Sequence, residues 1–464
     1  MAETTAGPLT AELGEFAAGL TFDAIPADLV THMKRCVLDT VGCGVYGASL
    51  EWSRILRSTL LEVDGTGVGR LLGAEGLLSA PHSALVNGSA IHAFEIDDLH
   101  PRSIVHPGSV VLPAALAAAD VRGGVTGREL VTALVAGYEV SARVGNSVGA
   151  AHLRQGYHPT ATHGTIGAAV AAASILGLDA DRTVHAMGIA GTQAAGLMAA
   201  QYSSMVKRFH AGRAAQSGVY GALLAANGYT GIDNLFEAEY GGYGPTMSPE
   251  YDDTELTRGL GETWESRLVG FKPYSTNGSC HPTIDALLAM REEHGLRPEM
   301  VGEIRIEAST ATKAHVGWEY TPGSVTTAQM NLGYIAAAVL TDGDAFVRQF
   351  SPERIVDPEL VSFAHRVHVA IAPDIDAEGD GGRHHTRIAV HLRDGRVLTD
   401  DRAFARGSSR RPMTEDELRA KFDKLTQDLV GAERSAALMS TIDDLDEAPS
   451  LDSLWSGMGG SALV

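Results

Sequence analysis

Apolar residues recur at three- and four-residue spacing along most of the first 240 positions, the mark of helices with one buried face. PADLVTHMKRCVLDTVGCGVYGA, opened by Pro26, sets the pattern. SALVNGSAIHAF, SVVLPAALAAADV, GRELVTALVAGYEVSARVGNSVG, GTIGAAVAAASILGL, DRTVHAMGIAGTQAAGLM and GRAAQSGVYGALLAANG repeat it. Ala, Gly and Ser occupy several faces of these segments at once, which predicts helices packed closely inside a large bundle. A glycine inside a helix costs about 1 kcal/mol against alanine, so their frequency points to backbones in near contact. Near residue 265 the period drops to two. GEIRIEAST, VHVAIAPDI and TRIAVHLRDGRVLTDD read as strands, the last as a hairpin around Asp394-Gly395. TTAQMNLGYIAAAVLTDG between them reads as a helix, giving an α+β unit over about 270–405. TEDELRAKFDKLTQDL is a helix with a Thr-x-x-Glu capping signature, expected to return to the first domain ahead of a loose Ser/Gly-rich tail.

A chain of 464 residues exceeds one compact core, so two domains are expected. At 44% hydrophobic and 20% charged it is ordinary soluble material, without the run of about 18–20 apolar residues that a membrane helix needs. The acidic start, MAETTAGPLTAELGEF, lacks the basic and apolar regions of a signal peptide. Cys36, Cys43 and Cys280 form neither a disulfide framework nor a metal knuckle, which suits a reducing cytoplasm. A net charge of −21 repels nucleic acid and anionic membrane. Lysine is scarce, and between residues 35 and 312 only Lys207 and Lys272 occur. A lysine kept where arginine is the default offers a compact charge that can give up its proton. GTGVGR at 65–70 lacks a preceding strand and a Walker lysine, and no G-x-S-x-G elbow occurs, so nucleotide binding and serine hydrolysis are not indicated.

Four segments combine helix starts with titratable groups. HAFEIDDLHPRSIVHPGSVV (92–111) concentrates Glu95, Asp97, Asp98, His100, Arg102 and His106. His100 and His106 are six apart, which fits no usual metal-ligand spacing, and metal-dependent hydrolysis is the weaker reading. GYHPTATHGTIGAA carries His158, and His163 at the expected entrance of a helix whose free amides suit a carboxylate. SSMVKRFHAGRAAQSG gathers Lys207, Arg208, His210 and Arg213 into an anion pocket. FKPYSTNGSCHPTIDALL brings Lys272, Cys280 and His281; the cysteine reads as a small buried hydrophobe rather than a nucleophile. Together the four would bind a small polycarboxylate and move a proton next to a carboxylate. A protein that binds such an acid without turning it over is the alternative of another class.

The runs AIHAFEIDDLHPRSIVHPGSVVLPAALAAAD, GYHPTATHGTIGAAVAAASILGLD, KRFHAGRAAQSGVYGALLAANGYTG and FKPYSTNGSCHPTIDALL, in that order, resemble the MmgE/PrpD family. The resemblance implies a mainly α fold: a large all-helical domain over 1–268, an α+β lid over 269–404, and a segment 405–464 that completes the helical domain. It also implies a homodimer and an enzyme working without cofactor or metal, either a lyase of the 2-methylcitrate dehydratase or cis-aconitate decarboxylase kind or an isomerase of the iminodisuccinate epimerase kind. Dehydration is the favoured expectation among these. The family's acid–base motif falls on Glu95, Asp97, Asp98 and His106, its second histidine on His158, and its lysines on Lys207 and Lys272. Tyr320 and His281 are further matches. The resemblance therefore gives His106 or His158 the proton transfer, with Asp97 or Asp98 orienting it. Lys207, Lys272 and Arg102 or Arg208 hold the substrate's carboxylates. Glu95 stands where the family often has Asp, Leu99 where it often has a small hydroxyl residue, and STNGSC replaces the expected Pro-Cys pattern.

Overall fold

The structure is a computed structural model that describes residues 8–64, 66–202 and 204–459. Helices dominate, with one four-stranded sheet in the second half of the chain. The expected helices form at Ala27–Ala48, Ala80–Ile91, Gly108–Arg122, Gly127–Arg154, Pro159–Leu176, Ala180–Gly191 and Val206–Ala226. Thr126 and Glu129 close a capping box at the start of Gly127–Arg154, and Gly149 (φ 60°) bends that helix near its end. Small residues do set the spacing. A Cβ on Gly212 would lie 2.1 Å from the Leu85 carbonyl, and one on Gly218 would lie 2.5 Å from the Ala168 Cβ. The Val206–Ala226 helix is thereby seated between Ala80–Ile91 and Pro159–Leu176 at distances no larger side chain permits. Residues 66–70 of GTGVGR end in a two-residue strand, Gly69–Arg70, paired with Leu77–Leu78; residue 65 lies outside the described residues.

The sheet runs Val367–Ile371, Val301–Ala308, Thr386–Leu392, Val397–Arg402 in spatial order. The first pair is parallel and the others are antiparallel. Thr386–Leu392 alternates buried and half-buried positions, as a strand with one covered face should. Gly395, at φ 91°, makes the hairpin turn. Helices His281–His294 and Leu332–Asp342 pack with this sheet. The helix expected over TTAQMNLGYIAAAVLTDG is two, Val325–Gln329 and Leu332–Asp342. Asn331 interrupts it by turning its own side chain to accept from the Tyr334 amide.

Thr414 and Glu417 form the predicted capping box of Glu415–Val430, and this helix packs on Ala27–Ala48. The tail is more ordered than expected: Ala432–Asp443 and Asp452–Met458 are helices, held by Leu438, Ile442, Leu454 and Trp455 in the core. Ser and Gly in this stretch sit among enough apolar residues to bury one face; residues 460–464 lie outside the described residues. No helix is long and apolar enough to cross a membrane among the described residues.

Candidate active site

The stretch after helix Ala80–Ile91 is a tight, over-determined turn. Glu95 has φ 56° and Ile104 φ 58°, the two non-glycine residues with left-handed backbone among those described. Such conformations cost about 1–3 kcal/mol each and persist where neighbours enforce them. Leu99 exchanges two backbone hydrogen bonds with Gly270 (3.0 and 2.9 Å). The buried His100 imidazole anchors the next loop: Nδ1 lies 3.1 Å from the Ser103 amide, and Nε2 lies 3.2 Å from the Glu265 carboxylate. Both strained residues line one cavity, together with His106, His158, Lys207 and Lys272.

Electrostatics of this cavity centre on Glu95. Its carboxylate pairs with Lys207, takes a hydrogen bond from Arg208 Nη1 (2.6 Å), and lies 3.4 Å from Lys272 Nζ. All four side chains are buried. Burial alone would raise the Glu95 pKa, but the charges of Lys207, Arg208 and Lys272 outweigh it and hold the carboxyl well below its ordinary range. Burial pushes the Lys207 ammonium down to about 8, against the pull of Glu95. With these groups ionised, three cations face one anion and the cluster keeps a net charge of +2. That surplus is what a small polycarboxylate needs in place of water.

Histidines form the adjoining wall. Asp97 Oδ2 accepts from His92 Nδ1 (2.7 Å), and His106 Nδ1 lies 3.3 Å from the same oxygen. Burial would raise Asp97, yet the neighbouring imidazoles hold it well below the usual range; burial takes His92 down to about 4. The His92 and His106 rings meet edge to face at 4.9 Å. His158 Nδ1 is 3.1 Å from His210 Nδ1, so one of the two donates and the other accepts. Burial, and after it the charge of its neighbours, holds His158 well below its ordinary value. From the sheet side, His315 (about 4), Arg383 and His384 (about 3) complete the cavity, both histidines lowered first by burial.

Comparison with known proteins settles the kinship. The MmgE/PrpD N-terminal domain matches residues 11–254 and the C-terminal domain residues 274–447. The chain belongs to the MmgE/PrpD family. It is 34% identical over 479 residues to the cis-aconitate decarboxylase-like protein oryM of Aspergillus oryzae, covering 98% of both chains. It is 30% identical over 463 residues to the cis-aconitate decarboxylase of Aspergillus terreus, covering 94% of this chain and 92% of the relative. With the cis-aconitate decarboxylase of Mus musculus it shares 27% over 454 residues, covering 92% and 89%.

Against the expectations for an MmgE/PrpD chain, the structure gathers Glu95, Asp97, His106, His158, Lys207 and Lys272 around one cavity, with Arg208 behind Glu95. Several other candidates lie elsewhere. Asp98 points away: it accepts from the Gly108 amide (3.0 Å) and from the Tyr138 hydroxyl (2.9 Å), so it fastens the start of helix Gly108–Arg122. Burial, then the charges of Asp39 and Asp97, raises its pKa well above the usual carboxylate range. Arg102 has a side chain 45% exposed and is spent on Glu255 and Glu265. His163 lies inside helix Pro159–Leu176, not at its entrance, and bonds the Tyr243 hydroxyl (3.0 Å). Tyr320 is a core residue beside Tyr334, donating to the Ile355 carbonyl (2.8 Å). His281 lines a neighbouring cavity that shares Lys272 and His384 with the first. Lys207 and Arg208 sit in the first turn of helix Val206–Ala226 rather than in a loop before it.

Sequence inspection overlooked His92, His315, Arg383 and His384 as site residues and gave His210 no role of its own. His92 opens the very stretch singled out, and His210 follows Lys207 by three positions. The run Arg383-His384-His385 before strand Thr386–Leu392 carried no periodicity to mark it.

His92, Asp97 and His106 are the one group among the described residues with three potential metal-ligating atoms within 4.8 Å of one another. Two ligands on one tetrahedral zinc, at about 2.0–2.1 Å each, stand about 3.3 Å apart. The 3.3 Å between Asp97 Oδ2 and His106 Nδ1 matches that spacing, whereas the 2.7 Å between Asp97 Oδ2 and His92 Nδ1 is a hydrogen-bond distance.

Proposed function

We propose that this protein is a carboxy-lyase that removes one carboxyl group from a small unsaturated tricarboxylate of the cis-aconitate type. The observation that carries the reading is the cationic cluster of Lys207, Arg208 and Lys272 around Glu95, opening on a wall of histidines. The named relatives support decarboxylation over the dehydration that family resemblance alone favoured.

In cis-aconitate, carbon dioxide leaves from the carboxylate on the saturated methylene. The freed electron pair forms a new double bond to the central carbon. The old π pair moves onto the far alkene carbon, next to its own carboxylate, and that carbon then takes a proton. Charge thus develops beside a carboxylate, where ammonium groups stabilise it. Lys207 and Lys272 meet that need. His158, kept neutral by burial at ordinary pH, is a poor proton donor. His106, with Nδ1 turned to the Asp97 carboxylate, is the proposed donor to the carbon.

The test is to incubate chelator-treated protein with cis-aconitate, citrate and 2-methylcitrate in deuterated water and follow proton spectra. The expected result is loss of carbon dioxide from cis-aconitate alone, one deuterium in the new methylene, and no effect of the chelator. Alkene formation from citrate or 2-methylcitrate, with cis-aconitate left intact, would replace this reading with a dehydratase.

A further inference from the structure

The turn that carries Glu95 is tied to the far end of the chain. Lys421, on helix Glu415–Val430, donates to the Ile96 carbonyl (2.6 Å) and pairs with Asp39 on helix Ala27–Ala48. Lys421 and Asp39 are both buried. For stability alone such a pair is a poor choice, because well-packed apolar residues of similar volume commonly serve a fold as well or better. What an apolar pair could not supply is the donor to Ile96. That carbonyl lies between Glu95, with its left-handed backbone, and Asp97, with its two histidine neighbours. The other restraints hold neighbouring groups: Gln329 donates to the Phe94 carbonyl (2.9 Å), Lys272 lies 3.3 Å from the Glu95 carbonyl, Asp98 takes the Gly108 amide, and Leu99 pairs with Gly270. Lys421 is the side chain that holds the Ile96 carbonyl, with the shortest of these bonds.

We infer that Lys421 is a positioning residue for the site. It fixes the peptide between Glu95 and Asp97, so that the Glu95 carboxylate meets Lys207 and Lys272 and the Asp97 carboxylate meets His106. The C-terminal segment is then part of the active centre's frame. The kinetic arm of the test rests on the proposed decarboxylation, whereas the structural arm does not.

The variant to make is Asp39→Asn with Lys421→Met, which removes both buried charges together and so leaves neither unpaired. Its melting temperature should stay within about 2 °C of wild type, the shift that about one lost hydrogen bond gives in a chain of 464 residues. Hydrogen–deuterium exchange of a peptide spanning 94–99 should nevertheless speed up about tenfold or more, with helix Pro159–Leu176 unchanged. On cis-aconitate, kcat/KM should fall about tenfold or more, and the alkaline limb of its pH profile should move below about 8 as Glu95 drifts from Lys207. Wild-type kinetics in the folded double variant overturn the inference, and so does failure of that variant to fold, which would place the pair in the fold alone. Should wild-type protein turn over no acid, the proposed function fails. Exchange then decides for Lys421, with an unchanged 94–99 peptide overturning its role.

Discussion

Replacing Glu95 by Gln keeps the side chain's shape and removes the one anion facing Lys207, Arg208 and Lys272. An opposite charge at about 4 Å, with an effective dielectric of about 20, is worth about 4 kcal/mol. One pKa unit is about 1.4 kcal/mol, so losing Glu95 should lower the Lys207 pKa by about 3 units, from about 8 to about 5. In wild type the Lys207 anchor is charged below about 8 and lost above it, so kcat/KM should fall as pH rises through about 8. In the variant the same fall should come near pH 5. At neutral pH the substrate then loses a charged hydrogen bond worth about 1.5–3 kcal/mol, or about 10- to 150-fold in kcat/KM. Stability runs the opposite way. Between about 8 and the ordinary 10.5, the unfolded chain still holds the proton that folded Lys207 has released. This group therefore makes stability rise with pH while activity falls. Initial rates of cis-aconitate loss by NMR from pH 4.5 to 9.5 in both proteins give the answer. A variant within about threefold of wild type at pH 7, with its alkaline limb still near 8, would show that Glu95 does not hold the charge on Lys207.

Three further outcomes separate chemistry from scaffolding. His106→Gln should lower kcat by about 10²–10⁴, the range for a lost general acid, with melting by calorimetry near wild type. Asp98→Asn should cost under about 1 kcal/mol in denaturant midpoint and leave kcat/KM within about threefold, since that carboxyl is raised toward its neutral form and bonds only an amide and a tyrosine. Tyr320→Phe should destabilise by about 1 kcal/mol through the lost bond to Ile355, again with turnover within about threefold; a collapse of turnover would put Tyr320 back in the site.

Strong periodicity was the part of the structure easiest to foresee. Helices such as Gly127–Arg154, the hairpin at Asp394-Gly395 and the Thr414/Glu417 capping box all follow from local chemistry. Local chemistry could not say which way a side chain faces. Asp97 and Asp98 are adjacent and of one type, yet one meets His92 and the other the Gly108 amide. That difference depends on where helix Gly108–Arg122 starts. Arg102 looked like an anion anchor until Glu255 and Glu265, more than 150 positions away, arrived beside it. His384 and His315 reach the cavity only because the sheet carries them over it. The rarity of lysine was more informative, because Lys207 and Lys272, the two between residues 35 and 312, are both buried against Glu95.

The tie between Lys421 and Ile96 also bears on how the protein is made. Lys207, Arg208 and Lys272 are all synthesised by residue 272, but Lys421 follows 149 residues later. At about 5–20 residues per second, a growing chain spends about 7 to 30 s with these cations made and the donor to the Ile96 carbonyl still to come. On the inferred role of Lys421, the pocket takes its working shape only after helix Glu415–Val430 has docked on Ala27–Ala48.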